Sequence, residues 1–225
     1  MTTRAGTTAA PGAPTPGGAT ATRARAVYGP YDSDVGDLIR RRYTKLVVHK
    51  AGLQPADRIL DVGTGRGLLA NAIVRSFGKC TGVGIDPDLA QLRDARLNAQ
   101  AEGVAERVQF VQATAEALPF KDHTFSVYVA GLAFSGRKDV RAASEEADRV
   151  LVPYSKVVIV DAVHKDTKRD DPLSDANAEK WKRRGYARVA VQKVAVLSDG
   201  RTLKALFARK EPSDDDDDAT GTGDG

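Results

Sequence analysis

The spacing of apolar residues changes period repeatedly along the chain. At Val35, Leu38, Ile39, Tyr43, Leu46 and Val47 they recur every three or four positions, which predicts a helix over 35–51 that Gly52 ends. Ile59, Leu60 and Val62 then form a short apolar run, a buried strand over 58–62, and helical spacing returns at Leu68, Leu69, Ile73 and Val74 for a helix over 67–77. The alternation repeats. Strands are predicted over 80–85, 108–112, 125–130 and 156–161, and helices over 88–102, 140–151 and 174–184. Two final stretches, 188–197 and 202–210, alternate apolar with polar residues and meet at Ser198-Asp199-Gly200, so they read as a hairpin. Strands alternating with helices imply an α/β fold with a mostly parallel sheet covered on both faces. Residues 1–26, rich in Thr, Ala, Pro and Gly, read as a disordered tail, and 211–225 as a disordered acidic one. One domain over 27–210 remains, with a polar loop at 164–173 and no internal repeat.

Charge changes this picture in one respect. The chain of 225 residues carries a net charge of +4, but Glu211, Asp214 to Asp218 and Asp224 all lie in the last segment. The domain between the tails is therefore distinctly basic, with clusters at Arg40-Arg41-Arg42 and at 180–184. Such a surface suits nucleic acid or an anionic substrate, or is simply solvated. The single cysteine, Cys80, excludes a disulfide framework and a multi-cysteine zinc site, and its strand setting predicts a buried, inert thiol. The Asp run offers no pre-formed metal cage, so no metal is expected. No run approaches the ~20 apolar residues of a membrane span, and no apolar leader segment is present, which points to the cytoplasm. The Arg-bearing, acid-free beginning also fits organellar import.

The chemistry concentrates at Arg58-Ile59-Leu60-Asp61-Val62-Gly63-Thr64-Gly65-Arg66-Gly67, a strand running into a glycine loop and a helix start. Glycines there allow positive φ and close approach of a ligand to the backbone, and the free N–H groups of a helix start suit a polar or anionic group. A nicotinamide fingerprint would need a third glycine where Leu68 stands, and no P-loop run is present.

The arrangement Leu-Asp-x-Gly-x-Gly-x-Gly resembles the first motif of class I S-adenosylmethionine (SAM)-dependent methyltransferases. Four further segments follow in the family's order. Gly82-Val83-Gly84-Ile85-Asp86-Pro87 is a second strand ending in an acid. Gln112 to Phe120 resembles the family's DAExLPF segment, Thr124 to Ala130 its fourth strand, and Glu146 to Asp161 its E-x-x-R-V-L-x-P helix-to-strand segment. The resemblance spans roughly 28–210. It implies a Rossmann-like, doubly wound, mostly parallel seven-stranded sheet whose last strands form an antiparallel C-terminal hairpin.

It also implies S-adenosyl-L-methionine as cofactor and assigns roles. Gly63, Thr64, Gly65 and Gly67 would approach the amino-acid part of the cofactor, and Asp61 would hold its ammonium. Asp86 would take the ribose hydroxyls with Pro87 beside the adenine, Thr114 and Ala115 would meet the adenine edge, and the Ala130 carbonyl would face the methionine end. Carboxylates have simpler uses too: Asp61 could stabilise the turn, and Asp86 could cap the following helix. Residues 27–52 would form an N-terminal lid and helix, with Tyr28 and Tyr31 over the ligand and Tyr43 fitting either lid or core. His164, just past the fifth strand, is the candidate general base.

Three positions depart from the family pattern. Thr114 stands where an Asp is usual, which bears on cofactor affinity. Ser126 replaces an Asp in the fourth strand and Tyr154-Ser155 a Gly-Gly turn, changes that concern packing. No Asn/Asp-Pro-Pro-Tyr/Phe run follows the fourth strand, which argues against the methylases that act on exocyclic or amide nitrogens with that motif, and no Pro-Cys nucleophile of the cytosine-5 kind is present. The lone cysteine opposes the arsenite-methylating branch. The expected activity is methyl transfer to a small or medium organic acceptor, in the manner of the quinone-biosynthesis branch. RNA or protein methylation through the basic surface, and a degenerate binding or scaffold subunit, are the alternatives.

Overall fold

Four successive residues of β1 (Arg58–Val62) are buried. That follows from a strand covered on both faces, where Ile59 faces one apolar layer and Leu60 the other. The computed structural model describes residues 43–134, 140–163, 173–197 and 200–211. In chain order, α1 (Thr44–Lys50) precedes β1, and α2 (Leu68–Ser76), β2 (Thr81–Asp86), α3 (Leu89–Glu102) and β3 (Val108–Gln112) follow. Next come β4 (Phe125–Gly131), α4 (Arg141–Val150), β5 (Leu151–Val163), α5 (Asp175–Arg183), β6 (Tyr186–Val196) and β7 (Thr202–Lys210).

The seven strands form one sheet in the order β3-β2-β1-β4-β5-β7-β6. β1 to β5 are parallel, and β7 inserts antiparallel between β5 and β6. The strand order turns back at β1, with β2 and β4 on its two sides. In open α/β sheets, ligands bind at the carboxyl ends of the strands beside such a reversal. One apolar layer contains Tyr43, Val47, Leu69, Ile73, Leu92 and Ala95 from α1, α2 and α3. The other contains Ala143, Ala147, Ala178 and Trp181 from α4 and α5. Trp181 meets Tyr186 edge-to-face at 4.9 Å.

The predicted doubly wound sheet and its hairpin are present, with two changes of extent. β5 begins at Leu151, directly after α4, instead of at 156. Phe125 pairs with Leu151 and Val127 with Lys156, so three extra residues bulge out of β5 there. Tyr154 takes φ 61° in the bulge, a conformation that usually falls to glycine, and its ring lies under the Arg209 guanidinium at 5.9 Å. β6 also begins earlier, at Tyr186, with Arg188 at φ 53° inside an irregular register. Of the helix predicted over 35–51, only the part from Tyr43 onward is described. The terminal tails, Tyr28, Tyr31, Arg40 to Arg42 and His164 lie outside the described residues.

At the amino ends of the strands, Asp57 accepts from Lys156 Nζ at 3.0 Å, Ser126 Oγ at 2.8 Å and the Gln54 amide at 2.6 Å. Ser126 in turn accepts from the Arg58 amide at 3.0 Å, so this replacement does serve packing. Cys80 is fully buried, donates to the Gln54 carbonyl at 3.2 Å, and burial raises its pKa. Among the described residues no helix is long and apolar enough to cross a membrane.

Candidate active site

The glycine loop between β1 and α2 is held from beneath by Asp61. This carboxylate is 1% exposed, and its Oδ2 accepts from Thr64 Oγ1 at 2.6 Å and from the Ala70 amide at 3.2 Å. Burial, aided by the nearby Asp86 charge and opposed by those two hydrogen bonds, raises its pKa from 3.8 to about 7. Asp61 therefore does stabilise the turn, through one of its two oxygens. Thr64 is buried too, with its amide on the Ile85 carbonyl at 2.9 Å.

All three loop glycines have positive φ, but they serve different ends. A Cβ on Gly63 would lie 2.6 Å from the Ala133 Cβ, and one on Gly67 would lie 3.0 Å from the Phe110 ring. Those two permit close packing. A Cβ on Gly65 would find nothing nearer than Gln91 Oε1 at 3.7 Å, so Gly65 alone of the three borders open space. Asn98 and Asp94 of α3 secure the loop from the side, through the Arg66 carbonyl at 3.0 Å and the Arg66 guanidinium at 3.2 Å.

Asp86, at the end of β2, is joined to the loop: Oδ2 accepts from the Gly65 amide at 3.0 Å and Oδ1 from the Asp88 amide at 2.9 Å. The cap of α3 is Asp88, which accepts from the Ala90 amide at 2.7 Å, so the capping role considered for Asp86 belongs to Asp88. Each Asp86 oxygen keeps a lone pair for a ligand. Pro87 and Thr114 are exposed beside it, drawn together by Gln112 Nε2 on the Pro87 carbonyl at 2.9 Å and by the Ala113 amide on the Asp86 carbonyl at 3.3 Å. Ala115 turns inward, 2% exposed. Ala130 is fully buried in β4, level with Val62 and so next to the glycine loop. Asp61, Gly65, Asp86, Pro87, Thr114 and Ala130 thus gather at one end of the sheet, while Gly63, Thr64, Gly67 and Ala115 support them from within.

Two further residues join this group: Asp161, which the sequence placed only at the end of a family segment, and Tyr43, which it left between lid and core. Asp161 in β5 is fully buried and accepts from the Phe134 amide at 3.0 Å and the Ala162 amide at 2.7 Å, fixing the turn that follows β4. Its place at the end of the fifth predicted strand was the available signal. Tyr43 packs on Gly131, where a Cβ would come within 2.9 Å of its hydroxyl oxygen. It belongs to the core and to the site rim together. Its hydroxyl is buried with no partner among the described residues, and burial, then the charges of Asp61 and Asp161, keep it protonated well above the ordinary tyrosine range. Helical spacing alone could not separate this tyrosine from a core residue. His49 is exposed on α1, and His123 lies before β4 at the amino ends, far from this group.

A glycine left open, two carboxylates with free lone pairs and an orphaned buried hydroxyl make a cradle for a polar ligand bearing a cationic group and hydroxyls. Residues 59–154 match the family model described as a methyltransferase domain. This segment is similar to methyltransferase domains. The domain is 35% identical over 116 residues to the uncharacterized methyltransferase YcgJ of Bacillus subtilis, covering 52% of this chain and 45% of that protein. It is 32% identical over 108 residues to the ubiquinone/menaquinone biosynthesis C-methyltransferase UbiE of Ruegeria sp., covering 48% and 43%. The chain thus spans less than half the length of these two relatives. Among solved structures, YcgJ superposes with a TM-score of 0.58 at 22% identity, over 76% of this chain and 98% of that one. Geranyl diphosphate methyltransferase in complex with SAM gives 0.65 at 14% identity, over 81% and 89%, which shows a shared fold.

The basic cluster at 180–184 is partly neutralised within the domain, by Lys182 with Glu179 at 3.2 Å and Arg184 with Glu145 at 3.1 Å.

Proposed function

We propose that the chain transfers a methyl group from S-adenosyl-L-methionine to a small or medium organic acceptor. The observation that carries this reading is the joining of the glycine loop to the second acid, Asp86 Oδ2 with the Gly65 amide, 21 residues apart in sequence. This single unit presents a bare backbone and two carboxylates to one ligand. The quinone methyltransferases among the relatives support an acceptor of modest size.

When bound, the cofactor supplies an electrophilic methyl on a sulfonium. The chain's residues hold it and the acceptor in line. The Oδ1 of Asp61 would hold the cofactor's ammonium, and ammonium binding would favour the ionised carboxylate over the protonated form that burial favours. Asp86 would accept from the ribose hydroxyls, Gly65 would admit the amino-acid part with Gly63 packed behind it, and Pro87 and Thr114 would border the adenine with Ala115 beneath them. The Tyr43 hydroxyl, neutral and unpartnered, donates into the same space. Holding two reactants in line accounts for about 7–11 kcal/mol of barrier lowering without a dedicated base. Where the acceptor carries a proton of high pKa, His164 is the proposed base, with Tyr28 and Tyr31 excluding water. The lone buried thiol fits a cytoplasmic setting.

The test is transfer of radiolabelled methyl from SAM to a panel of phenolic, quinol and aliphatic hydroxyl or amine acceptors, with the Asp86→Ala variant alongside. Label in an organic-extractable product, lost in the variant, supports the proposal. Label found only in RNA or protein overturns the small-molecule assignment.

A further inference from the structure

At the pole opposite the glycine loop, a cleft of about 410 Å³ opens on the sheet face that α1 covers only in part. Its walls include Lys50 at the end of α1, Lys156 in β5, Arg188 in β6 and Arg209 in β7, with Gln192 and Phe207 between them and no acidic residue. Lys156 is paired with Asp57. Lys50 reaches only the neutral Gln192 Oε1, at 2.8 Å, and Arg209 only the Tyr154 ring. Neither these two nor Arg188 has an ion-pair partner among the described residues. Three exposed cations with no ion-pair partner among the described residues thus surround an apolar floor.

The chain itself carries the complementary charge a few residues away. Arg209 pairs with Lys156 on one side and Ala187 on the other, and the Glu211 amide is anchored on the Gly185 carbonyl at 3.0 Å. Five consecutive aspartates, Asp214 to Asp218, begin three residues beyond that anchor. Extended chain covers about 3.3–3.6 Å per residue, so the run reaches about 10–25 Å from Glu211, enough to span the cleft. The segment ahead of residue 43 carries six arginines against Asp32, Asp34 and Asp37, a net positive charge mismatched to the cleft.

We infer that the cleft lined by Lys50, Arg188 and Arg209 is the docking site for the Asp214–Asp218 run of the same chain. Tethering keeps the run at an effective concentration near the millimolar range, which offsets the weakness of each exposed ion pair. The docked run would fill the cleft with the chain's own anion and keep other polyanions out of it. This inference is independent of the methyl-transfer proposal, because the cleft and the glycine loop lie at opposite ends of the strands.

The test uses the full chain with a nitroxide on Thr220→Cys, Cys80 being buried and unreactive. Amide signals of Gln192, Phe207 and Ala208 are compared with those of Gly65 and Ala70. Docking predicts severalfold stronger broadening at the cleft amides at about 20 mM salt, lost near 0.5 M salt. The same loss is expected when Asp214 to Asp218 are all changed to Asn, which keeps the tether and the label, and in Lys50→Gln/Arg188→Gln/Arg209→Gln. Cleft broadening that survives the Asn replacement reflects proximity alone and overturns the inference. So does an absence of preferential broadening at low salt. An added oligouridylate that shifts the cleft amides while the labelled tail leaves them untouched also overturns it, and would assign the cleft to nucleic acid.

Discussion

Asp61 is asked to do two things that pull its protonation in opposite directions. Burial favours the neutral acid and sets its pKa at about 7, while an ammonium ligand favours the carboxylate. Between about pH 4 and pH 7 the folded chain holds a proton that the unfolded chain has released. Stability owed to this group is therefore present at low pH and lost as pH rises through that window. Affinity for S-adenosylhomocysteine, which keeps the ammonium, should instead rise with pH through about 7. Asp61→Asn keeps an acceptor for Thr64 and Ala70 but removes the titration. Calorimetric titration from pH 6 to pH 8 should show roughly 10- to 100-fold weaker binding at pH 8 and no residual slope, the size of one charge-assisted hydrogen bond. The loop glycines separate in the same way. Gly63→Ala meets Ala133 at 2.6 Å and should lower stability by about 2–4 kcal/mol in thermal unfolding. Gly65→Ala meets no close neighbour and should cost about 1–2 kcal/mol, with its larger effect on ligand affinity. The motif showed that glycine was needed at each position. It could not show which one faces the ligand, because that depends on Ala133 and Phe110, distant in sequence.

The elements owe their placement to polar contacts that periodicity does not reveal. Glu146 and Arg149 of α4 reach across to the segment after Thr114. Glu146 accepts from the Leu118 amide at 2.7 Å, and Arg149 donates to the carbonyls of Phe120 at 2.8 Å and Leu118 at 3.0 Å. The Arg149 guanidinium, ahead of the Leu118 amide, holds Glu146 below its usual pKa. The E-x-x-R spacing was therefore legible as a family signature, while its work, fixing the proposed adenine-side loop, became visible only in three dimensions. Arg149→Ala should speed hydrogen exchange in residues 117–122 and weaken S-adenosylhomocysteine binding, with little change in the exchange of β1. Helix and strand limits were clear wherever a glycine or a cap marks them, as at Gly103 and Ser174. They failed at the start of β5, where Tyr154 adopts a conformation that its residue type disfavours.

Across the whole molecule, the sheet separates a binding end from a structural end. Topology was readable because each strand is a short apolar run and each helix an amphipathic one, in an order that permits few sheets. The site was readable as far as its residues lie in one of the family's segments. Tyr43 could be read only as lid or core, and the cleft beneath Arg209 not at all, since both arise from α1 and β7 meeting strands far away in sequence. At the structural end, Lys156 and Asp57 form a largely buried pair at 3.0 Å. Lys156→Met should lower stability by about 3 kcal/mol through the carboxylate left unpaired, yet leave cofactor affinity unchanged. The central claim, that the glycine loop and Asp86 hold SAM, is tested most directly by thermal unfolding at pH 8 with and without S-adenosylhomocysteine. At ~100 times its dissociation constant the ligand adds about 2.7 kcal/mol, a rise of about 5–10 °C for a domain of this size. That rise, reduced to under about 2 °C in Asp86→Ala, is the expected result, and an unchanged midpoint in the native chain would contradict the account.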